Sequence, residues 1–190
     1  MKMQIGFTTD MADPLCMAIR RLTGGAFSHC FPMFVHDDGR TEYFESIWKC
    51  DPDTGKTGVR GPLPISRLAD WHAENPLMHV VETQPISGYL PLTDAEVRAA
   101  WDICLVAVPT IHYAKLQIGQ NWLEARTGIY ITKRSKTQRW TCSEHVARCM
   151  PARLAYYFGW PDVDVNRLAP SGTRMVSVET AINRWLAAKT

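Results

Sequence analysis

Two apolar runs face each other across a short polar break: HCFPMFV at residues 29–35 and TEYFESI at residues 41–47, separated by His36-Asp37-Asp38-Gly39-Arg40. Each run has the length and the aromatic and β-branched content of a strand, and the Asp-Gly pair supplies a turn between them. An antiparallel hairpin is the expected result. Its register decides what the hairpin can do, because side chains alternate faces and a slip of one residue exchanges them. Pairing Val35 with Thr41 puts His29, Phe31, Met33 and Val35 on one face with Thr41, Tyr43, Glu45 and Ile47. Glu45 then stands opposite Phe31 and diagonal to His29, or directly opposite His29 if the register slips by one pair. An odd register would turn it away. Pro32 has no N–H to give a ladder, so its run is expected at a sheet edge or a bulge.

The rest of the chain supplies elements around this hairpin. MQIGFTT (residues 3–9) reads as a first strand, and ADPLCMAIRRLTGG as a short helix closed by Gly24 and Gly25. DPDTGKTGVRGPLP reads as a Gly- and Pro-rich loop, ISRLADWHAENP as a short helix, and LMHVVETQP (residues 77–85) as a further strand. LTDAEVRAAWDICLVAV has a capping box, Thr93 to Glu96, ahead of apolar residues at helical spacing. A helical or irregular stretch follows over residues 110–126, and SVETAINRWLAAK reads as a closing amphipathic helix. There is no internal repeat and no linker, so one α+β domain over residues 1–190 is the economical reading.

Composition narrows the function. The apolar fraction of 46% and charged fraction of 21% are those of a globular protein. No apolar run approaches the roughly 18 residues of a membrane span, and the start has no sustained apolar segment of a signal peptide, so a cytoplasmic location is expected. A net charge of +2 gives little support to nucleic acid as the main partner. The six cysteines, at 16, 30, 50, 104, 142 and 149, show no paired spacing and read as reduced thiols, most of them buried.

One cysteine has a local reason to be reactive. In RWTCSEHVARC (residues 139–149), Thr141-Cys142-Ser143-Glu144 fits a capping box, which places Cys142 at the first helical position. Unpaired N–H groups and the positive end of the helix dipole favour a thiolate there. Such a nucleophile needs a base, and the base a third group to orient it. His145 shares a helical face with Cys142. His36 and His72 are expected in solvent, and His79 and His112 carry no local signal. His29 follows the small-residue run Gly24-Gly25-Ala26-Phe27-Ser28 and opens a strand, a rigid place from which to face a helix terminus, with Glu45 available from the next strand.

Taken in order, the small-residue turn with Phe27-Ser28-His29, then YFESI, Gly58-Val59, Pro62-Leu63-Pro64 and, far downstream, TCSEHV form a pattern. It resembles the circularly permuted NlpC-type branch of the papain-like cysteine peptidases, the YiiX-like bacterial hydrolases above all. The lecithin retinol acyltransferase group carries a similar Asn-Cys-Glu-His box, but TCSEH has one residue more between cysteine and histidine, so that group's chemistry is not inherited. His29 precedes Cys142 by 113 positions, which is the permuted order. The resemblance covers residues 3 to about 175, where RLAPSGT is similar to a proline-containing strand late in such domains. It implies a permuted papain-like fold, a small antiparallel sheet or half-barrel packed against helices. It also implies Cys142 as nucleophile, His29 as base and Glu45 as third member, with no cofactor. The expected substrate is an amide in a peptide, cell-wall peptide included, cleaved through an acyl-enzyme.

Three other readings stand beside it. A thiol acyltransferase or esterase would act on lipid or other acyl groups with the same nucleophile. A zinc-binding protein would use Cys142, His145 and Cys149 along one helical stripe with Cys30 or His29, although three ligands from one helix make poor tetrahedral geometry. A non-enzymatic binding module would use Lys133, Arg134, Lys136 and Arg139, with Tyr130 and Trp140 nearby, against an anionic surface.

Overall fold

The computed structural model describes residues 1–9, 13–51, 54–68, 89–114, 139–158, 168–172 and 176–188, together with residues 120, 123 and 127. Four strands, β1 (Lys2–Thr8), β2 (His29–Val35), β3 (Thr41–Ile47) and β4 (Gly58–Pro64), form an antiparallel sheet in the order β1-β2-β3-β4. Helix α1 (Pro14–Thr23) joins β1 to β2, and α2 (Asp94–Thr110), α3 (Cys142–Cys149) and α4 (Val178–Ala187) follow the sheet. A 3₁₀ helix covers Ala152–Phe158. Two-residue strands β5 (His112–Tyr113) and β6 (Arg139–Trp140) pair in parallel.

The hairpin adopts the even register, with Val35 opposite Thr41, Phe34 opposite Glu42 and Met33 opposite Tyr43. Its loop closes through His36 N–H to Arg40 O at 2.8 Å and Gly39 N–H to His36 O at 3.0 Å. Gly39 sits at φ 85°, a conformation that side chains with a Cβ seldom take. Asp13 caps α1 by accepting from Leu15 N–H at 2.8 Å, with Pro14 at the first helical position and Gly24 closing the helix in the left-handed region. The Thr93–Glu96 box is formed in full at the start of α2.

The sheet is covered on both faces, which explains why β2 reads as a continuous apolar run rather than an alternating one. Met3, Ile5, Phe7, Cys30, Phe34 and Phe44 pack against Val97, Ala100 and Cys104 of α2, Val146 and Cys149 of α3, and Val178, Ala181, Ile182 and Trp185 of α4. On the other face Phe31, Met33 and Tyr43 pack with Leu63, Ile65 and Leu68.

Two sequence expectations are corrected here. Pro32 lies in an interior strand, not at an edge or bulge. It sits opposite Ile5 of β1, one residue past the last β2–β3 ladder pair at Met33, so the ladder toward β3 has ended where the N–H is missing. The stretch read as loop contains β4. As the outer strand of the sheet it tolerates Gly58, Gly61, Pro62 and Pro64, and a register shift between Tyr43 and Glu45 sets Glu45 opposite Arg60. RLAPSGT contributes an isolated bridge between Ala169 and Ser177 among the described residues. Residues 66–68 begin a helical turn. The rest of that expected helix, the strand expected at 77–85, most of 110–126 and the basic segment before Arg139 lie outside the described residues. No helix among the described residues is long and apolar enough to cross a membrane.

Candidate active site

Thr141 is the N-cap of α3, in an extended conformation with its Oγ1 accepting from Glu144 N–H at 3.2 Å. Cys142 therefore occupies the first helical position. Only this half of the expected capping box is formed, because the Glu144 carboxylate faces the other way along the helix. Its Oε1 accepts from Arg148 Nε at 2.9 Å and Nη2 at 2.7 Å. Tertiary bonds aim the helix start. Trp140 O accepts from Ser46 Oγ of β3 at 3.1 Å and from Ala114 N–H at 3.1 Å, so two neighbours hold the backbone two residues before the cysteine.

His29 opens β2 where the chain is also tied down. Ser28 N–H donates to Thr8 O at 3.1 Å, and the Ser28 and Thr9 hydroxyls bond at 2.8 Å. Just upstream, Phe27 N–H donates to Ser171 Oγ at 2.8 Å. From this anchored start the imidazole reaches two partners. Its Nε2 lies 3.1 Å from Glu45 Oε2, and the ring also interacts as a hydrogen-bond partner with the Cys142 thiol. With Nε2 engaged by Glu45, Nδ1 remains for the sulfur.

By strand alternation His29 and Glu45 share the face of Phe31, Met33 and Tyr43, whereas Val146 and Cys149 of α3 pack on the opposite face. The body of the Cys142 helix thus packs on the sheet face opposite His29 and Glu45. The β2–β3 ladder stops at Met33 and Tyr43, and Cys142 meets His29 at the unladdered end beyond it.

The second Glu45 oxygen belongs to Arg60. Its Oε1 accepts from Arg60 Nε at 2.9 Å and Nη2 at 2.6 Å, and Arg60 Nη1 donates to Asp51 Oδ2 at 2.8 Å. Asp51 in turn accepts from Thr54 N–H at 2.9 Å. Glu45 and Asp51 are both buried. Breaking one partner out of such a buried array leaves an uncompensated charge, so each holds the next in place.

The electrostatics follow from this chain of charges. Burial alone would lower the His29 imidazole, but bonds and attraction from Cys142 and Glu45 outweigh it and raise its pKa to about 10. A hydrogen bond from the Cys30 side chain, acting against burial and joined by the bond and charge of His29 and the Cys30 backbone N–H, holds the Cys142 thiol well below its usual range. Burial pushes Glu45 upward, and the His29 bond and Arg60 charge bring it below the usual carboxylate value. A thiolate beside an imidazolium is the arrangement these shifts favour.

The remaining sequence candidates go elsewhere. His145 is fully buried against Cys104, 3.5 Å from its sulfur, rather than facing Cys142 as a base. The helical zinc stripe is thus divided, with Cys142 beside His29 and His145 and Cys149 beside Cys104. His36, expected in solvent, is half-buried against the edge of Trp101 and pairs with Glu42 at 2.7 Å. His112 is exposed, Cys50 is exposed, and His72 and His79 lie outside the described residues. Sequence reasoning assigned no role to Tyr113, Arg60 or Asp51, and it offered Cys30 only as a candidate zinc ligand. Cys30 is adjacent to His29 and carried a signal in that position alone. Tyr113, whose hydroxyl bonds to the Cys142 sulfur and is held protonated chiefly by burial, had none. Arg60 was hidden in a segment whose glycines and prolines read as loop.

No family model, curated protein or solved structure matches this chain.

Proposed function

We propose that this chain is a cysteine-nucleophile amidase of the permuted papain-like kind, cleaving a peptide amide through an acyl-enzyme. The observation that carries the reading is His29, which bonds Glu45 at 3.1 Å on one side and the helix-start thiol of Cys142 on the other. A structural histidine needs no such pair of partners, and a buried cysteine of the core needs no base.

In the proposed reaction the Cys142 thiolate attacks the carbonyl carbon, and the developing oxyanion is received by the Cys142 backbone N–H at the start of α3. The Tyr113 hydroxyl, protonated and close to the same sulfur, is the second donor. His29 gives its proton to the leaving nitrogen as the C–N bond breaks, which leaves a thioester and a neutral imidazole. That imidazole takes a proton from water as the water attacks the thioester, and the acid product leaves with the thiolate restored. Glu45 positions His29 and stabilises its charge, while Arg60 and Asp51 keep Glu45 fixed.

A peptide-directed electrophile, such as a peptidyl acyloxymethyl ketone, tests this directly. One equivalent should attach to Cys142, as read by peptide mass mapping, and His29→Ala should abolish the labelling at neutral pH while far-ultraviolet circular dichroism stays unchanged. Attachment to Cys50 or equal labelling of the six thiols would sink the proposal. A panel of peptide amides and lipid esters then fixes the acyl group.

A further inference from the structure

A second cluster of soft donors lies between α2 and α3, and the proposed reaction makes no use of it. Cys104 Sγ is 3.5 Å from His145 Nε2 and 3.4 Å from Cys149 Sγ, and the three donor atoms all lie within 4.8 Å of one another. Cys104 and His145 are 0% exposed and Cys149 is 2% exposed. His145 and Cys149 are four residues apart, so one helix presents both from successive turns of the same face, and Cys104 arrives from the facing helix.

The spacing has a specific meaning. A zinc ion with bonds of about 2.3 Å to sulfur and about 2.0–2.1 Å to nitrogen, at tetrahedral angles, separates two sulfur ligands by about 3.8 Å and a sulfur and nitrogen by about 3.6 Å. The separations of Cys104 from His145 and from Cys149, 3.5 and 3.4 Å, fall only a few tenths of an ångström short of these. Charge also fits, because two thiolates and a divalent cation sum to zero, so a buried site needs no further counter-ion.

We propose that Cys104, His145 and Cys149 bind one zinc ion, through two thiolates and the Nε2 of His145. No fourth Cys, His, Asp or Glu joins them among the described residues, which supply three ligands. The ion fastens α2 to α3 one turn along from Cys142, and so braces the helix that carries the nucleophile of the first site.

The test uses the reduced Cys142→Ser protein, freed of metal with a chelator, so that the other thiol site does not compete. Titration with cobalt(II) should give one equivalent bound, with a thiolate-to-cobalt charge-transfer band and the d–d bands of a tetrahedral ion, and zinc(II) should displace it. About two protons should be released per ion. Cys104→Ser and Cys149→Ser should each lower affinity by more than about 100-fold, beyond the loss expected of an outer-shell partner. Should either variant fail to fold, thiol mapping of the zinc-loaded parent in moderate urea decides instead. Zinc should protect Cys104 and Cys149 while Cys16, Cys30 and Cys50 are alkylated. Folded protein that takes up neither metal, binding that survives both serine variants, protection of other cysteines, or binding of copper(I) alone would each overturn the assignment.

Discussion

The imidazole of His29 lies between an anionic sulfur and a carboxylate, and both hold its proton. Its pKa of about 10, with Cys142 well below the usual thiol range, keeps the ion pair populated across neutral pH. Amide cleavage needs the His29 proton for the leaving nitrogen, whereas alkylation needs only the thiolate. Iodoacetamide should therefore label Cys142 at pH 6.5 well ahead of the other five cysteines, and its rate should stay high as pH rises. Turnover should decline with an apparent pKa near 10. Both should fall together in acid, as the thiolate is protonated. Parallel alkaline limbs in the two profiles would contradict the pair. Glu45→Gln removes charge but keeps an acceptor, so the His29 pKa should move down toward its ordinary value of about 6.5. The alkaline limb of turnover should move with it, and ring proton chemical shifts would report the same change. An unchanged limb would show that Glu45 contributes packing alone.

At the level of elements, the start of α3 is where local and tertiary forces meet. Thr141 supplies the cap, and Ser46 of β3 together with Ala114 fixes the residue before it. Thr141→Ala should cost about 0.5–2 kcal/mol of stability, read from denaturant unfolding. The first turn should loosen more than the rest of the helix, so Cys142 alkylation at pH 6.5 should slow by more than the stability loss alone predicts. Equal alkylation rates in the two proteins would mean that β3 and Ala114 position the thiol without the cap.

Across the whole molecule one apolar cluster joins β1, β2 and β3 to α2, α3 and α4. Phe34 sits in it fully buried, edge-on to Phe44 and Trp101 at 5.9 and 5.1 Å between ring centroids. Sheet and helices should therefore unfold together. Far-ultraviolet circular dichroism, tryptophan fluorescence and the selective labelling of Cys142 should be lost at one denaturant midpoint. Phe34→Ala should lower stability by about 3–5 kcal/mol and move all three signals equally. Separated midpoints would mean that the nucleophile's helix folds independently of the strand carrying His29.

Short-range features were legible because their causes are local. The Asp-Gly turn marked the hairpin, though the residues left its register open until the structure showed the even one, and Thr93 and Thr141 mark helix starts by a side chain bonding to an N–H three residues ahead. These signals also put His29 and Glu45 on neighbouring strands and Cys142 at a helix terminus. Tertiary structure alone decided what those residues meet. Whether Glu144 closes its box depended on Arg148 competing for the carboxylate. Whether Glu45 would be buried depended on Arg60, which reaches it only because a Gly- and Pro-rich segment becomes the outer strand once β3 offers free N–H and C=O groups. Cys104 and Cys149, separated by 45 positions, came within 3.4 Å because two apolar helix faces had to be covered at once. Hydrogen bonds to the nearest backbone are written in adjacent residues, whereas burial is set by which surfaces the entire chain can bring together.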